Sequence, residues 1–499
     1  MTNTLYDALI APHADNEAVF LECDDSTRLT YARFVRRAAQ LAHVLTEAGV
    51  SPGDRVLVQA PKLSDTIALY AATLQAGAVY LPLNTAYTQA ELAYFVEDAA
   101  PTLVVCDAQE EDAIAEIAAR VSAKVLTLAG DGGSLGRAAD GQFETFETVA
   151  RAPDDLAALL YTSGTTGRSK GAMLSHKNLL SNAEVLTELW QITARDRLIH
   201  ALPIFHTHGL FVALNTAFLS GAEVRFMAGF NLDAIIDALP DATLMMGVPT
   251  FYTRLLDDLR FTRDLTRSMR LFISGSAPLL AETHQAFEAR TGHRILERYG
   301  MTETNMITSN PYDGARVAGT VGYPLPGTEL RITDPETGAL LDKGEIGMIE
   351  TRGDNVFQGY WNMPEKTAEE LREDGFFLTG DLGIEAEDGR VSIVGRAKDL
   401  IISGGYNIYP KEIEDVLNDV DAVAESAVFG VPHKDFGESV IAAIVPMPGK
   451  TPDIEALKAA AQDALARFKH PRDYVVLDAL PRNTMGKVQK NILRQTYGS

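Results

Sequence analysis

Cysteine is scarce, with only Cys23 and Cys106 in 499 residues. That excludes a disulfide-stapled fold, and the spacing is not that of a metal site. Two reduced thiols are expected. Positive charge is also in deficit: 44 Lys and Arg stand against 68 Asp and Glu, a net charge of −24. Such a surface does not attract nucleic acid or anionic lipid, so neither is an expected partner. An anionic substrate must instead be met by a local cluster of Arg or Lys. No apolar run approaches the length needed to span a bilayer. Residues Met1–Ile10 lack a basic segment followed by an apolar run, so no signal peptide and a cytoplasmic location are expected. There is no solenoid repeat and no Ser/His/Asp arrangement for nucleophilic catalysis. Nothing in the sequence fixes the oligomeric state; a monomer or weak dimer is the expectation.

What is present is an ordinary globular composition, 46% apolar, over a length that calls for two or more domains. Residues 30–107 alternate helix and strand signals. Thr30–Ala48 carries helical apolar spacing and stops at Gly49; Ser64–Ala76 stops at Gly77; Thr88 and Glu91 form a capping box. Arg55–Ala60, Ala78–Leu83 and Thr102–Asp107 read as strands. The alternation predicts an α/β fold of doubly wound, mainly parallel sheets. Residues 129–155 read as an exposed connection. Strand signals resume at Arg197–Leu202, Glu223–Met227, Thr243–Val248, Arg270–Ser274 and Arg294–Arg298. From Thr328 short alternating segments split by Gly and Asp predict a small antiparallel or barrel-like β subdomain, about residues 328–397. A compact α+β C-terminal domain follows, residues 398–499, so the N-terminal domain is expected to span 1–397.

The stretch Tyr161-Thr-Ser-Gly-Thr-Thr-Gly-Arg-Ser-Lys-Gly171 dominates the rest. It follows the apolar run Leu156–Leu160 and precedes a helical pattern from about His176. Glycines at 164, 167 and 171 permit close backbone approach. Hydroxyls from Ser163, Thr165, Thr166 and Ser169 and charge from Arg168 and Lys170 suit a phosphate. The spacing is not that of a Walker A loop, and a Gly/Ser/Thr loop by itself is equally a solvated turn.

As a ten-residue pattern, however, it resembles the phosphate loop of the acyl-adenylate-forming enzymes: acyl-CoA synthetases, adenylation domains and luciferase. Five further stretches match that family in order and spacing, so the resemblance covers nearly the whole chain. It implies ATP, Mg²⁺ and coenzyme A as cofactor and co-substrates, with a mobile C-terminal domain. Thr162, Ser163, Gly164, Thr165, Thr166, Gly167 and Lys170 would hold the ATP phosphates. In Leu202-Pro-Ile-Phe-His-Thr-His-Gly209, His206 would orient the reacting carboxylate and Thr207 face the acyl pocket, with Met306. His206 and His208 also read as packing histidines or, without a third ligand, as a poor metal pair. In Arg298-Tyr-Gly-Met-Thr-Glu303, Tyr299 and Gly300 would lie against adenine, Thr302 would bond the phosphate, and Glu303 would hold Mg²⁺, Thr165 being a second possible metal ligand. Asp381 in Leu378-Thr-Gly-Asp381 would bind the ribose, with Arg396 reaching ribose or phosphate. Lys398 matches the family's hinge, and Gly404 and Gly405 would pass the pantetheine thiol. Lys487, in Pro481-Arg-Asn-Thr-Met-Gly-Lys487, matches the lysine that bridges the acid and the α-phosphate. His206, Thr165, Glu303 and Lys487 are thus the expected catalytic set.

Within the family the pattern resembles that of members that activate malonate. A small dicarboxylic acid needs a cation, and Arg254 and Arg298, with hydroxyls from Ser274 and Ser276, make a candidate carboxylate clamp. Arg254 is the first choice for the distal carboxylate. Malonate is the expected acid and methylmalonate a secondary one. Other short-chain acids, or loading of a carrier-protein thiol, stay open.

Overall fold

The computed structural model describes residues 2–162, 169–403, 406–434, 436–483 and 486–498. By compactness the chain divides into two units, Met1–Glu329 with Thr351–Phe377, and Leu330–Glu350 with Leu378–Ser499. This is not the expected division at Lys398. Of the expected β-rich segment, Leu330–Glu350 and the residues from Leu378 on are grouped with the C-terminal residues, and Thr351–Phe377 with the first unit.

The first unit holds two sheets with helices between their strands. One is six-stranded, in the order Lys124–Thr127, Leu103–Cys106, Arg55–Gln59, Val79–Pro82, Leu156–Thr162, Lys170–Ser175. The first five run parallel and the last is antiparallel. Runs such as Leu-Val-Val-Cys at 103–106 are wholly buried, as strands covered by helices on both faces must be. The helices start where their caps dictate. Thr30 accepts from the Arg33 amide at the head of Tyr31–Glu47, and Thr88 and Glu91 form the expected capping box.

The second sheet is nine-stranded, in the order Tyr323–Pro324, Asn305–Ser309, Leu296–Met301, Leu271–Ser274, Leu244–Gly247, Arg197–His200, Glu223–Phe226, Val19–Cys23, Arg28–Thr30. The strands from Leu296–Met301 to Val19–Cys23 are parallel neighbours. In such a sheet ligands bind beyond the carboxyl ends of the strands. Those ends here carry His200, Gly247, Ser274 and Arg298 with Tyr299.

One expectation fails locally. Residues 129–155 are not all exposed connection: Gly133–Ala139 is a helix with Leu135 and Ala139 buried, locked by Thr127 and Ser134 bonding each other's backbone and side chain. Between the glycine-rich stretch and the helix, which starts at His176 as expected, lies a strand that the sequence does not show. Lys170–Ser175 is a strand paired antiparallel with Leu156–Thr162, with Thr162 opposite Lys170. The helix His176–Leu189 begins only after it, capped by Ser175 and Asn178.

Thr328–Thr333, Gly347–Gly353, Phe377–Glu385 and Val391–Arg396 form a four-stranded sheet in chain order, most of whose residues belong to the second unit. A five-stranded sheet is built on the long hairpin Val423–His433 and Gly437–Pro446, with Asp473–Val476 parallel to the latter. Helices Pro410–Asn418 and Ile454–Ala464 bury Ile413, Leu417 and Leu457 on one face, and Leu493 packs on the other. Among the described residues no helix is long and apolar enough to cross a membrane, and Cys23 and Cys106 form no disulfide.

Candidate active site

The residues expected to bind the acid converge in the first unit. Arg298 stands on the strand Leu296–Met301 and is only 3% exposed. Its Nε and Nη2 find no hydrogen-bond partner among the described residues. Burial drives its pKa down to about 9, so it is still a cation at neutral pH. Its guanidinium lies against Gly275, where a Cβ would come within 2.2 Å of Nη1. On either side of Gly275 stand Ser274, whose buried Oγ has no partner among the described residues, and Ser276, whose Oγ is 3.2 Å from His208 Nδ1. His208 Nε2 and Thr207 Oγ1 are buried and unpartnered in the same sense. Burial, and then the charge of Arg298, hold His208 neutral, well below the usual histidine range. Ser276 has φ +70° and Asn305 φ +49°. Side-chain residues held in the left-handed region cost free energy that surrounding structure must impose, and they gather at functional sites. Buried donors and acceptors are nearly always satisfied, so the unpartnered ones of Ser274, Thr207, His208 and Arg298 single these residues out as candidates for a polar ligand.

Arg254 differs in burial. It is exposed on the helix Pro249–Leu256, its guanidinium 5.3 Å from the centre of the Phe230 ring. A solvated arginine needs no counter-charge, whereas a buried one does. Of the two expected clamp arginines, Arg298 is thus the buried one and Arg254 the exposed one. Met306 follows Asn305, and its backbone is gripped by Asn182, which donates to its carbonyl at 2.9 Å and accepts from its amide at 3.2 Å.

The nucleotide candidates divide. Ser163, Gly164, Thr165, Thr166 and Gly167, and with them the second metal ligand, lie outside the described residues. So do Gly404 and Gly405. The two ends of the loop are placed: Thr162 closes one strand, Lys170 opens the next, and Tyr94 Oη donates to the Ser169 carbonyl at 2.8 Å. Lys170 binds Glu370 at 3.0 and 3.1 Å and lies 4.0 Å from the centre of the Tyr360 ring. Tyr360 Oη in turn is 2.6 Å from Glu370 Oε2 and 3.0 Å from Glu303 Oε1. Glu303 is buried, and desolvation raises its carboxyl pKa. A buried carboxylate with one tyrosine partner suits a hard cation, and Mg²⁺ is normally held by one or two carboxylates plus substrate phosphates and water. Sequence reasoning does not find Tyr360 and Glu370. Nothing local marks them, since Glu370 reaches Lys170 across two hundred residues of chain. Tyr299, Gly300 and Thr302 follow Arg298 on the same strand and its turn, and a Cβ at Gly300 would strike the Asn305 carbonyl at 1.9 Å.

The remaining candidates belong to the second unit. Asp381 is buried within the strand Phe377–Glu385 rather than in a turn; Gly380, at φ +73°, precedes it. Its amide donates to Thr379 Oγ1 at 3.1 Å, and its Oδ1 is 3.1 Å from Arg396 Nε, directly across the ladder. Lys398 lies in a short 3-10 turn, its pKa lowered to about 8 by burial and then by Arg396. Lys487 follows Gly486 at φ +76°. Its amide donates to Asn483 Oδ1 at 3.0 Å, and its carbonyl accepts from the Asn483 amide at 2.9 Å.

The chain is similar to known proteins over nearly its whole length. The AMP-binding enzyme family matches residues 8–361, and the AMP-binding enzyme C-terminal domain matches residues 412–487. The chain is 36% identical to the malonate–CoA ligase of Arabidopsis thaliana, over 90% of this chain and 79% of that one. It is equally 36% identical to a feruloyl-CoA synthase of Amycolatopsis, over 95% and 94%. Among solved structures, ATP-bound MatB from Rhodopseudomonas palustris is 56% identical and superposes with a TM-score of 0.98, over 100% of this chain and 99% of that one.

Proposed function

Because the chain belongs to the AMP-binding enzyme family, we propose that it joins malonate to coenzyme A at the expense of ATP, through a malonyl-adenylate, releasing AMP and pyrophosphate. Two relatives of equal identity act, by name, on different acids, so the choice of acid must be read from the site. The observation that carries it is Arg298: a buried cation, packed on Gly275 between Ser274 and Ser276, with two nitrogens that have no partner among the described residues. An aromatic or fatty acid would leave that charge unmet; a second carboxylate meets it with charge-assisted hydrogen bonds.

The chemistry then divides by residue. One malonate carboxylate is fixed by Arg298, with Ser276 and Thr207 beside it. The other, oriented by His206, attacks the α-phosphorus of ATP; the P–O bond to pyrophosphate breaks. Two anions meet in that step, so positioned cations and donors do most of the work. Lys487 and Lys170 supply charge, with hydroxyls from Thr162 and Thr302, and Asp381 with Arg396 holds the ribose. When bound, Mg²⁺ on Glu303, with Thr165, would neutralise phosphate charge. Coenzyme A's sulfur next attacks the acyl carbonyl as AMP leaves, with Lys398 the pivot and Gly404 and Gly405 along the thiol's path. A cytoplasmic setting, where ATP and reduced thiols are kept, fits this reaction.

The decisive assay is ATP–pyrophosphate exchange, with and without coenzyme A. Malonate-dependent exchange without coenzyme A, and malonyl-CoA with it, is expected. Exchange driven better by ferulate or butyrate would refute the reading. A methyl group at Gly275 offers a second check: it would displace the Arg298 guanidinium. Gly275→Ala is expected to lower kcat/KM for malonate by about 10²-fold, the usual loss for an ångström of misplacement, with little change in the KM for ATP.

A further inference from the structure

Lys62 and His200 take no part in the chemistry above, yet His200 is buried and the half-buried Lys62 turns its amine onto it. Lys62 lies between the strand Arg55–Gln59 and the helix Ser64–Gln75. Its amine is 3.0 Å from His200 Nδ1 and 3.0 Å from the His200 carbonyl oxygen, and 4.6 Å from the centre of the Phe226 ring. An imidazole, a carbonyl and a ring face thus surround it. A buried ammonium is costly without a reason, and burial lowers its pKa well below the usual lysine value.

The reason lies on the far side of the imidazole. His200 closes the strand Arg197–His200, and its Nε2 is 2.8 Å from the Gly209 carbonyl oxygen. A carbonyl only accepts, so the ring proton must sit on Nε2 and Nδ1 is left a bare acceptor. Lysine, which carries donors, fills that need. A doubly protonated ring is opposed by burial and by the Lys62 charge, which together bring the His200 pKa down to about 3.

Gly209 is the second residue of a π-helical turn, His208–Leu214. Such turns are rare and concentrate at functional sites. This one closes tightly on its own loop. The Leu210 amide donates to the His206 carbonyl at 3.0 Å, and a Cβ on Gly209 would meet the Pro203 carbonyl oxygen at 2.0 Å. With no slack in the backbone, the direction of the Gly209 carbonyl sets the placement of Thr207 and His208 just before it. Those residues bring unpartnered Oγ1 and Nε2 atoms to the Arg298 cluster.

We propose that Lys62 is a positioning residue for the acid-binding segment: by donating to His200 Nδ1 it holds the Nε2–H tautomer, which anchors Gly209 and aligns Thr207 and His208 with the bound acid. The proposal rests on reading that cluster as the malonate site.

Two measurements on the full-length protein test it. In Lys62→Met, which keeps the length and loses the donor, the KM for malonate should rise about 10- to 100-fold, the loss common when a histidine's orienting partner is removed, while the KM for ATP moves by less than about twofold. His200→Gln can place an amide N–H toward the Gly209 carbonyl, and an amide has no tautomer to lose. On that background Lys62→Met should therefore cost little more. Nitrogen NMR of the His200 ring should show Nε2–H in the wild type and a mixture in Lys62→Met. Equal increases in both KM values, or the same loss on both backgrounds, would overturn the proposal. An Nδ1–H or doubly protonated ring in the wild type overturns it even if Lys62→Met does not fold. If the wild type fails to use malonate, the site reading falls, while the ring spectra still judge Lys62's hold on His200.

Discussion

Lys487→Ala is expected to slow malonyl-adenylate formation by about 10²–10³-fold, the effect of losing one placed donor at a developing negative charge, while leaving most of the thioester step intact. The first half-reaction brings a carboxylate to a triphosphate, and Lys487 is the cation proposed between them. The second involves a neutral acyl carbonyl and a leaving AMP, for which the lysine is not required. Pyrophosphate exchange measures the first step. Conversion of supplied malonyl-adenylate by coenzyme A measures the second. Equal loss in both would mean that Lys487 serves the fold or both reactions, and its assignment to the first half-reaction would be wrong. The local structure favours a specific role. Gly486 takes a left-handed turn, and Asn483 bonds the Lys487 backbone through both its side chain and its main chain, so the residue is held by its backbone whatever its side chain does.

Arg298→Met should remove most of the preference for a diacid. Leaving a desolvated charge unpaired costs about 2–5 kcal/mol. Wild type is therefore expected to favour malonate over propionate or butyrate by about 30- to several-thousand-fold. In Arg298→Met that ratio should collapse toward unity, chiefly through lost malonate turnover. Methylmalonate keeps both carboxylates and adds one methyl group, which a pocket resists by about 1–3 kcal/mol. It should remain a slower substrate, limited by Thr207 and Met306. Specificity constants for the four acids on both proteins decide the matter, and Arg254→Ala on the same acids apportions the load between the two arginines. A wild type that uses butyrate as well as malonate would defeat the clamp.

Much of the fold is legible in the amino-acid sequence alone. Strands such as Arg197–His200 and Leu271–Ser274 are short apolar runs bounded by turn residues, and buried parallel strands leave that trace. The capping box at Thr88 is local and therefore readable. The failures share a cause. Lys-Gly-Ala-Met-Leu-Ser at 170–175 looks like the tail of a glycine loop, and only pairing with Leu156–Thr162 makes it a strand. Gly-Ser-Leu-Gly at 133–136 has poor helix propensity, and tertiary contacts impose the helix. Sequence places both Arg254 and Arg298 near the acid but does not say which is buried. Burial depends on the packing of Gly275, which no spacing rule reports. Glu370, Tyr360, Lys62 and His200 act through partners far along the chain, and a single sequence carries no record of such pairings.

The unmet guanidinium of Arg298 also bears on the lifetime of the protein. Arg298 has no counter-charge among the described residues, so an acid that supplies one favours the folded chain. A dianion that binds only the folded chain adds RT ln(1 + [L]/Kd), about 2.7 kcal/mol at a hundredfold excess over Kd. Resistance to heat and to proteases would then track the supply of substrate. The enzyme would persist when there is acid to activate and be cleared sooner when there is none, with turnover of the protein itself tied to demand by a single buried charge.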